Sequence, residues 1–132
     1  MHERQHLYID GAWVEPNGDG TIQVVNPANE GIIGSVPVGS ESDANAAVEA
    51  ARAAFDSWSE STVDERSNYL NLLSSALKER GEELAELITS EVGTPIEYSR
   101  MAMVGTPRVV SRSYAKILDG FVWEEEVRNS LV

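Results

Sequence analysis

Two histidines near the start of the chain are the first side chains that could bind a metal. His2 and His6 are four residues apart, so on a helix both imidazoles would lie on one face. A zinc site needs three or four ligands, and no complete ligand set accompanies this pair. We therefore interpret the stretch "HERQH" as a solvated tail and predict no metal site there.

Neighbouring carboxylates could supply a general acid and a general base. Glu124, Glu125 and Glu126 form one such run, and Glu82 and Glu83 form a shorter one. Consecutive side chains on a strand point to opposite faces, so the three-residue run would not converge on one substrate. We interpret both groups as solvated surface.

A covalent mechanism requires a nucleophile and a base, and the sequence does not supply the pair. Cysteine is absent, no G-x-S-x-G motif surrounds a serine, and both histidines lie in the expected tail. The stretch "NGDG" at 17–20 does not continue as G-x-G-x-x-G, and it is predicted to be a turn. The span thus contains no complete catalytic constellation and no cofactor-binding turn.

Glu91 is the one carboxylate whose position is unusual. It is expected in the last turn of a helix, where backbone carbonyls are free and the helix dipole is negative. A bound cation or a capping group would relieve this repulsion. The alternative is an exposed glutamate, tolerated at a cost of a few tenths of a kcal/mol.

Composition limits the partners of the chain. The 132 residues carry a net charge of -12, which repels the phosphates of nucleic acid. No apolar run approaches the roughly 18–20 residues that span a bilayer, and the N-terminal residues lack the apolar segment of a signal peptide. We expect a cytoplasmic protein with neither a nucleic-acid nor a membrane partner.

The first part of the chain has the pattern of short strands. Residues 1–6 show no periodicity and are expected to be a flexible terminus, whereas 7–38 form a β-ribbon region. Asp10-Gly11 is a type I′ turn signal that pairs 7–9 with 12–14. A second ribbon joins 21–25 to 32–36, with Pro27 in the turn.

Helical periodicity begins at Ser40 and continues to residue 120. The first helix has Ser40 or Ser42 as its N-cap, and the second begins with the capping-box spacing of Thr62 and Glu65. Arg80-Gly81 is a stop or kink, after which a third helix ends with Gly93 at the C′ position.

The last predicted helix covers 96–118, and Pro107 in its interior should break or kink it. Thr106 is a candidate for a fresh N-cap at that point. Residues 121–132 read as the start of a strand whose partner lies outside the chain. Apolar residues of the helical layer form one stripe that little else in the chain can cover: Leu70, Leu73, Leu77, Leu84, Leu87, Ile88, Val109 and Ile117.

Four stretches, in this order, resemble the N-terminal region of the NAD(P)-dependent aldehyde dehydrogenases. They are "IDGAW" (9–13), "NPANEGIIGSVP" (26–37), "AARAAFDSW" (50–58) and "RSNYLNLLSSALKERGEELAELITSEVGTP" (66–95). The resemblance covers nearly the whole chain, from about residue 7 to 120. It implies an α/β fold, α+β within this span: short β-hairpins and about four helices that form an incomplete part of a Rossmann-like cofactor domain.

The resemblance also implies a function for the complete enzyme. Such an enzyme oxidises an aldehyde to a carboxylic acid with NAD or NADP, using a cysteine thiolate and a glutamate-activated water. The span lacks those groups, so we expect it to be an inactive scaffold that binds no cofactor alone. Its partners would be the remainder of the subunit and, when complete, further copies in a homo-oligomer.

One family site maps onto this sequence, and one rival function stays open. The resemblance implies a monovalent-cation site formed by a backbone carbonyl of Val24 or Val25 and by the side chain of Glu91. Oxygen ligands suit sodium or potassium. The rival function is a truncated, non-catalytic relative that acts as a protein interaction module through its apolar stripe.

Overall fold

The computed structural model describes residues 2–123, 126–127 and 130–131. Short strands come first and helices follow. The strands are β1 (His2–Glu3), β2 (Leu7–Ile9), β3 (Ala12–Val14), β4 (Thr21–Val25) and β5 (Ile32–Pro37). The mixed class expected from the sequence is therefore confirmed.

The first hairpin is built on the predicted Asp10-Gly11 turn. β2 and β3 pair antiparallel with Ile9 opposite Ala12. Asp10 and Gly11 have φ angles of 52° and 74°, the left-handed region that a type I′ turn requires at both positions. On one face Tyr8 and Trp13 contact edge to face with ring centroids 5.1 Å apart. The predicted pairing is confirmed.

The second ribbon belongs to a three-stranded sheet in the order β1-β5-β4. β4 and β5 pair antiparallel, as predicted. β1 pairs parallel with β5, with His2 opposite Gly34, and the Arg4 N–H donates to the Ser35 carbonyl at 3.0 Å. This pairing differs from the flexible terminus expected for 1–6, because a two-residue strand leaves no periodic signal in the sequence.

The helices are α1 (Glu41–Ser59), α2 (Val63–Glu79), α3 (Gly81–Val92), α4 (Ile96–Tyr98) and α5 (Gly105–Leu118). Ser40 caps α1 and Thr62 caps α2, each in a reciprocal capping box. Among the described residues, no helix combines the length and the apolar character needed to cross a lipid bilayer.

A π-helix, Ser99–Val104, joins α4 to α5. At its end the Gly105 N–H donates to the Arg100 carbonyl five residues back. Pro107 has no N–H, so it cannot continue this wider ladder, and it lies in the first turn of α5, where prolines are tolerated. The sequence predicted a break or kink at Pro107. In the structure the irregularity is the π-helix, which ends three residues before Pro107. Thr106 is not the N-cap, because it lies inside α5.

The C-terminal residues form a small hairpin of β6 (Glu126–Val127) and β7 (Ser130–Leu131). The strand expected from residue 121 therefore begins later, and its partner lies within the chain. Residues 121–123 are irregular. Glu124 and Glu125, part of the predicted carboxylate run, lie outside the described residues.

The buried apolar core of the described region is small. It consists of Ala85, Val104 and Ala115, where α2, α3 and α5 meet the π-helix. Polar contacts join α2 to α5: the Ser74 hydroxyl donates to the Arg108 carbonyl at 3.0 Å. The predicted apolar stripe lies on these helices but is incompletely covered, with Val109 64% exposed.

Candidate functional site

Val24 and Glu91, predicted to share a cation site, line one cavity of about 140 Å³. Val24 comes from β4 and Glu91 from the last turn of α3. Ile33, Val36 and Leu87 supply apolar walls. The structure thus brings together a sheet residue and a helix carboxylate that are far apart in the sequence.

The turn after β4 is held by a dense set of hydrogen bonds. The Asn26 N–H donates to the Gly31 carbonyl at 2.8 Å, and the Asn26 side-chain oxygen accepts from Ala28 N–H at 2.9 Å. Glu30 takes a positive φ of 58° to close the turn. These bonds fix the end of β4, and with it Val24.

Gly93 sets the approach of α3 to this turn. Its φ is +78°, and its N–H donates to the Thr89 carbonyl at 3.0 Å, which gives the left-handed helix end predicted from the sequence. A Cβ at Gly93 would lie 2.8 Å from Cγ of Pro27. Close packing at Gly93 therefore places the C-terminus of α3 beside the ribbon.

Val25 does not line the cavity. The β4–β5 register shifts between Val24, opposite Gly34, and Val25, opposite Ile32. The skipped residue, Ile33, forms a bulge, which turns the strand locally. Of the two valines named from the sequence, Val24 is the one that lines the cavity.

Arg4 is a site residue that the sequence did not indicate. Its side chain lines the same cavity as Glu91. The strand pairing of β1 brings it there, and that pairing carried no sequence signal. The cavity therefore has one acidic and one basic wall residue.

The arrangement offers negative potential and oxygen atoms to a cation. Glu91 is exposed and lies at the end of a helix whose last carbonyls lack intrahelical partners. Carboxylate and carbonyl oxygens suit a hard monovalent ion, and a volume of about 140 Å³ accommodates such an ion with several waters. Among the described residues that line the cavity, Glu91 is the one carboxylate and Arg4 the one basic residue.

The other candidates from the sequence make ordinary contacts. His6 Nε2 lies 2.9 Å from Glu15 Oε1, and in the described part of the chain no three His, Cys, Asp or Glu side chains group as metal ligands. Arg100 donates to Glu82 at 2.9 Å and lowers the pKa of that carboxyl. Glu83 pairs with Arg80.

Asp43 is a buried carboxylate in the first turn of α1. It accepts from the Ser40 N–H at 2.8 Å and from the Asn17 side-chain amide at 2.7 Å. The Ser40 backbone bond, with further bonds from Asn17, lowers the pKa of Asp43 to about 2. Its partners hold the 15–20 loop on α1, so the role is structural.

The N-termini of α1, α2 and α3 are poor sites for the phosphates of a dinucleotide. Phosphate binding at a helix N-terminus needs free N–H groups and no competing anion. Asp43 and Glu65 already accept at the starts of α1 and α2, and α3 begins with Glu82 and Glu83. The first turns of these three helices therefore repel phosphate.

The amino-acid sequence is similar to those of known proteins. The sequence profile of the aldehyde dehydrogenase family matches residues 13–129. A 3-succinoylsemialdehyde-pyridine dehydrogenase of a Pseudomonas species is 41% identical over 96 residues, which are 73% of this chain and 20% of that protein.

Solved structures match over almost the whole chain. An aldehyde dehydrogenase of Bartonella henselae superposes with a TM-score of 0.90 at 26% identity, covering 98% of this chain and 28% of that one. Aldehyde dehydrogenase C of Pseudomonas syringae, solved with NAD⁺ and octanal, gives 0.89 at 35% identity, over 93% of this chain and 25% of that one. The chain thus spans between a fifth and three tenths of the length of these proteins.

Proposed function

The chain belongs to the aldehyde dehydrogenase family, and from this we propose that it is the N-terminal scaffold of such an enzyme. The complete enzyme would oxidise an aldehyde to a carboxylic acid with NAD or NADP. The nucleophile, the general base and the dinucleotide site would then lie in the remainder of the subunit. In the 132 residues themselves there is no cysteine.

The exposed area of the chain is the observation that carries the proposal. Its accessible surface is 10126 Å². A compact monomer of 14.4 kDa would expose about 6,800 Å². The excess of about 3,300 Å² on this chain is larger than the roughly 1,000–2,500 Å² that one partner buries in a typical obligate interface. The fold therefore has the surface of a part that packs against a larger body.

Large apolar side chains make up much of this surface. Phe55 and Trp58 of α1 are 66% and 50% exposed, and Leu73 of α2 is 50% exposed. Side chains of this size favour burial by about 1.5–3 kcal/mol each. The rest of the same polypeptide would cover these exposed apolar side chains. The complete subunit would then assemble into homo-oligomers.

NAD is the cofactor that the comparisons favour for the complete enzyme. The Pseudomonas syringae relative was solved with NAD⁺ and octanal, and a betaine aldehyde dehydrogenase of Staphylococcus aureus was solved with NAD⁺. The N-termini of α1, α2 and α3 do not suit phosphate, and we expect the chain alone to bind no dinucleotide. Tight NADH binding by the isolated 132 residues, measured by fluorescence titration, would contradict this assignment.

The rival function is a non-catalytic interaction module. The same exposed apolar area supports it, because another protein would cover that area equally well. Reading the gene past the codon of Val132 separates the two. A continuing frame that encodes a cysteine supports the enzyme, whereas a stop codon together with stable expression supports the module.

We also propose that Glu91 and Val24 hold a monovalent cation. The cavity shared by Val24 and Glu91 and the position of the Glu91 carboxylate at the negative end of α3 support the site. Sodium should stabilise the protein against heat more than choline does at equal ionic strength. Glu91→Ala should remove this difference. An unchanged sodium effect in Glu91→Ala would exclude the site.

A further inference from the structure

The outer edge of β4 is open in the described part of the chain. In the sheet order β1-β5-β4, β5 is central, and among the described residues it is the one strand that pairs with β4. An edge strand presents backbone N–H and C=O groups to any further strand that approaches it. β4 can therefore accept a fourth strand.

Hydrogen bonds of the central strand indicate which β4 residues face this open edge. Gln23 lies opposite Ser35 of β5, and the Ser35 carbonyl accepts from the Arg4 N–H on the β1 side at 3.0 Å. Because Ser35 directs its carbonyl away from β4, its antiparallel partner Gln23 directs its own polar groups away from β5. This direction alternates along a strand, so the N–H and C=O groups of Thr21, Gln23 and Val25 face the open edge.

Bonds at both ends of β4 agree with this alternation. The Gly20 carbonyl accepts from the Val38 N–H at 3.1 Å, and the Asn26 N–H donates to the Gly31 carbonyl at 2.8 Å. Gly20 and Asn26 flank β4 and direct these groups toward the β5 side. The even-numbered residues therefore pair within the ribbon, and the odd-numbered ones are left for a neighbouring strand.

The ribbon is nearly uncharged in an acidic chain. Between Asp19 and Glu41, Glu30 is the one charged residue, whereas the whole chain has a net charge of -12 that makes two copies repel each other. β4 itself contains no lysine, proline or acidic residue of the kind that protects many edge strands. Ile22 and Val25 are 56% and 44% exposed, so apolar side chains accompany the open backbone.

We propose that β4 pairs with β4 of a second copy of this chain, antiparallel and about a two-fold axis. Two-fold symmetry brings the same segment together from both copies, which suits a strand with little charge to repel itself. A pairing centred on Gln23 uses all three outward-facing residues, with Gln23 opposite Gln23 and Thr21 opposite Val25 of the other copy. The inference does not require the proposed function, because it rests on the described strands alone.

Gln23→Pro removes the N–H at the centre of this pairing. Proline is compatible with an edge strand where the N–H faces outward, so the variant should keep its fold, as circular dichroism can verify. Sedimentation equilibrium of the 132-residue chain should show a dimer dissociation constant raised by about tenfold or more. Gln23→Ala keeps the N–H and is the matched control, expected within about threefold of wild type.

A pair of charge variants tests the two-fold register. Because residue 23 meets itself across the axis, Gln23→Lys alone and Gln23→Glu alone should each associate more weakly than wild type. An equimolar mixture of the two should recover association, since the new charges are then opposite. Gln5→Lys and Gln5→Glu are the matched controls, because Gln5 is exposed and lies outside β4, and mixing them should change nothing.

The outcomes separate strand pairing from general adhesion of apolar surface. Weaker association of both charge variants of Gln23, with recovery in their mixture, supports the pairing and decides the question even where Gln23→Pro does not fold. A folded Gln23→Pro that associates like wild type overturns it. A mixture that associates no better than its components, or a wild-type chain that stays monomeric at about 1 mM, also overturns it.

Discussion

Asp43 shows how a single carboxylate joins two parts of the chain. It receives hydrogen bonds from Ser40 at the start of α1 and from Asn17 in the loop 26 residues earlier. The same group therefore caps the helix and holds the loop. Gly18 permits the close approach, because a Cβ there would lie 2.2 Å from the Val38 carbonyl oxygen.

Replacing Asp43 should change how stability depends on pH. The folded pKa of about 2 is below the ordinary 3.8, so ionised Asp43 favours the folded state above about pH 4. That contribution is lost as pH falls towards 2. Asp43→Asn should therefore be less stable than wild type at pH 7, with the gap narrowing at pH 2.

Urea unfolding between pH 2 and pH 7 measures this effect. Asp56→Asn is the control, because Asp56 is an exposed carboxylate on the same helix, and its curve should follow wild type. Parallel curves for Asp43→Asn and wild type across the whole pH range would show that Asp43 does not act in this way.

Gly93 should be more sensitive to substitution than Gly11. Both have positive φ, +78° and +74°, which costs an alanine about 1–2 kcal/mol. Of the two, only Gly93 also has a close neighbour, since Cγ of Pro27 lies 2.8 Å from the position that a Cβ would take. Gly93→Ala should lose about 1–3 kcal/mol more than Gly11→Ala.

Equilibrium unfolding of the two variants gives the comparison, with Gly120→Ala as a control whose Cβ meets nothing within 4 Å. Equal losses for Gly93→Ala and Gly11→Ala would mean that the contact with Pro27 does not restrain the end of α3.

At the level of elements, α1 differs from the other long helices. Apart from Asp43 and the half-buried Ala50, its residues are exposed. Polar contacts hold its ends: Asp43 at the start, and Arg66 of α2, which donates to the Ser59 carbonyl at 2.8 Å. α2 and α5, in contrast, pack along their lengths.

Hydrogen exchange should therefore be faster in α1 than in α2. With little apolar burial, opening of α1 costs less free energy than opening of the α2–α5 pair. Mass spectrometry of deuterium uptake should show lower protection for 45–58 than for 67–76. Equal protection in the two segments would indicate that α1 unfolds only with the whole chain.

Local signals in the sequence predicted the elements that depend on local chemistry. The Asp10-Gly11 hairpin, the Thr62 capping box and the Gly93 helix end follow from residues close to one another. The parallel pairing of β1 and the Asn17–Asp43 contact could not be predicted, since both join residues distant in sequence. Glu91 could be named as a site residue because its position near a helix end is a local signal. Arg4 was missed because the pairing of β1 with β5 brings it to the cavity from a distant part of the sequence.

At the level of the whole molecule, the excess surface should determine behaviour in solution. With large apolar side chains exposed on α1, α2 and α5, the isolated chain should associate and bind hydrophobic dyes. Size-exclusion chromatography with light scattering, together with dye fluorescence, checks this. A monomer that melts sharply and binds no dye would contradict the expectation.

The π-helix before α5 has a consequence for how this family can vary in length. A π-turn contains one residue more than the α-turn it replaces. The π-helix Ser99–Val104 therefore accommodates an additional residue within an otherwise continuous helix. Losing one residue there would tighten the turn and leave the flanking helices facing the same neighbours. Relatives that are one residue shorter should have their alignment gap in this turn. They should keep an apolar residue at the buried position of Val104.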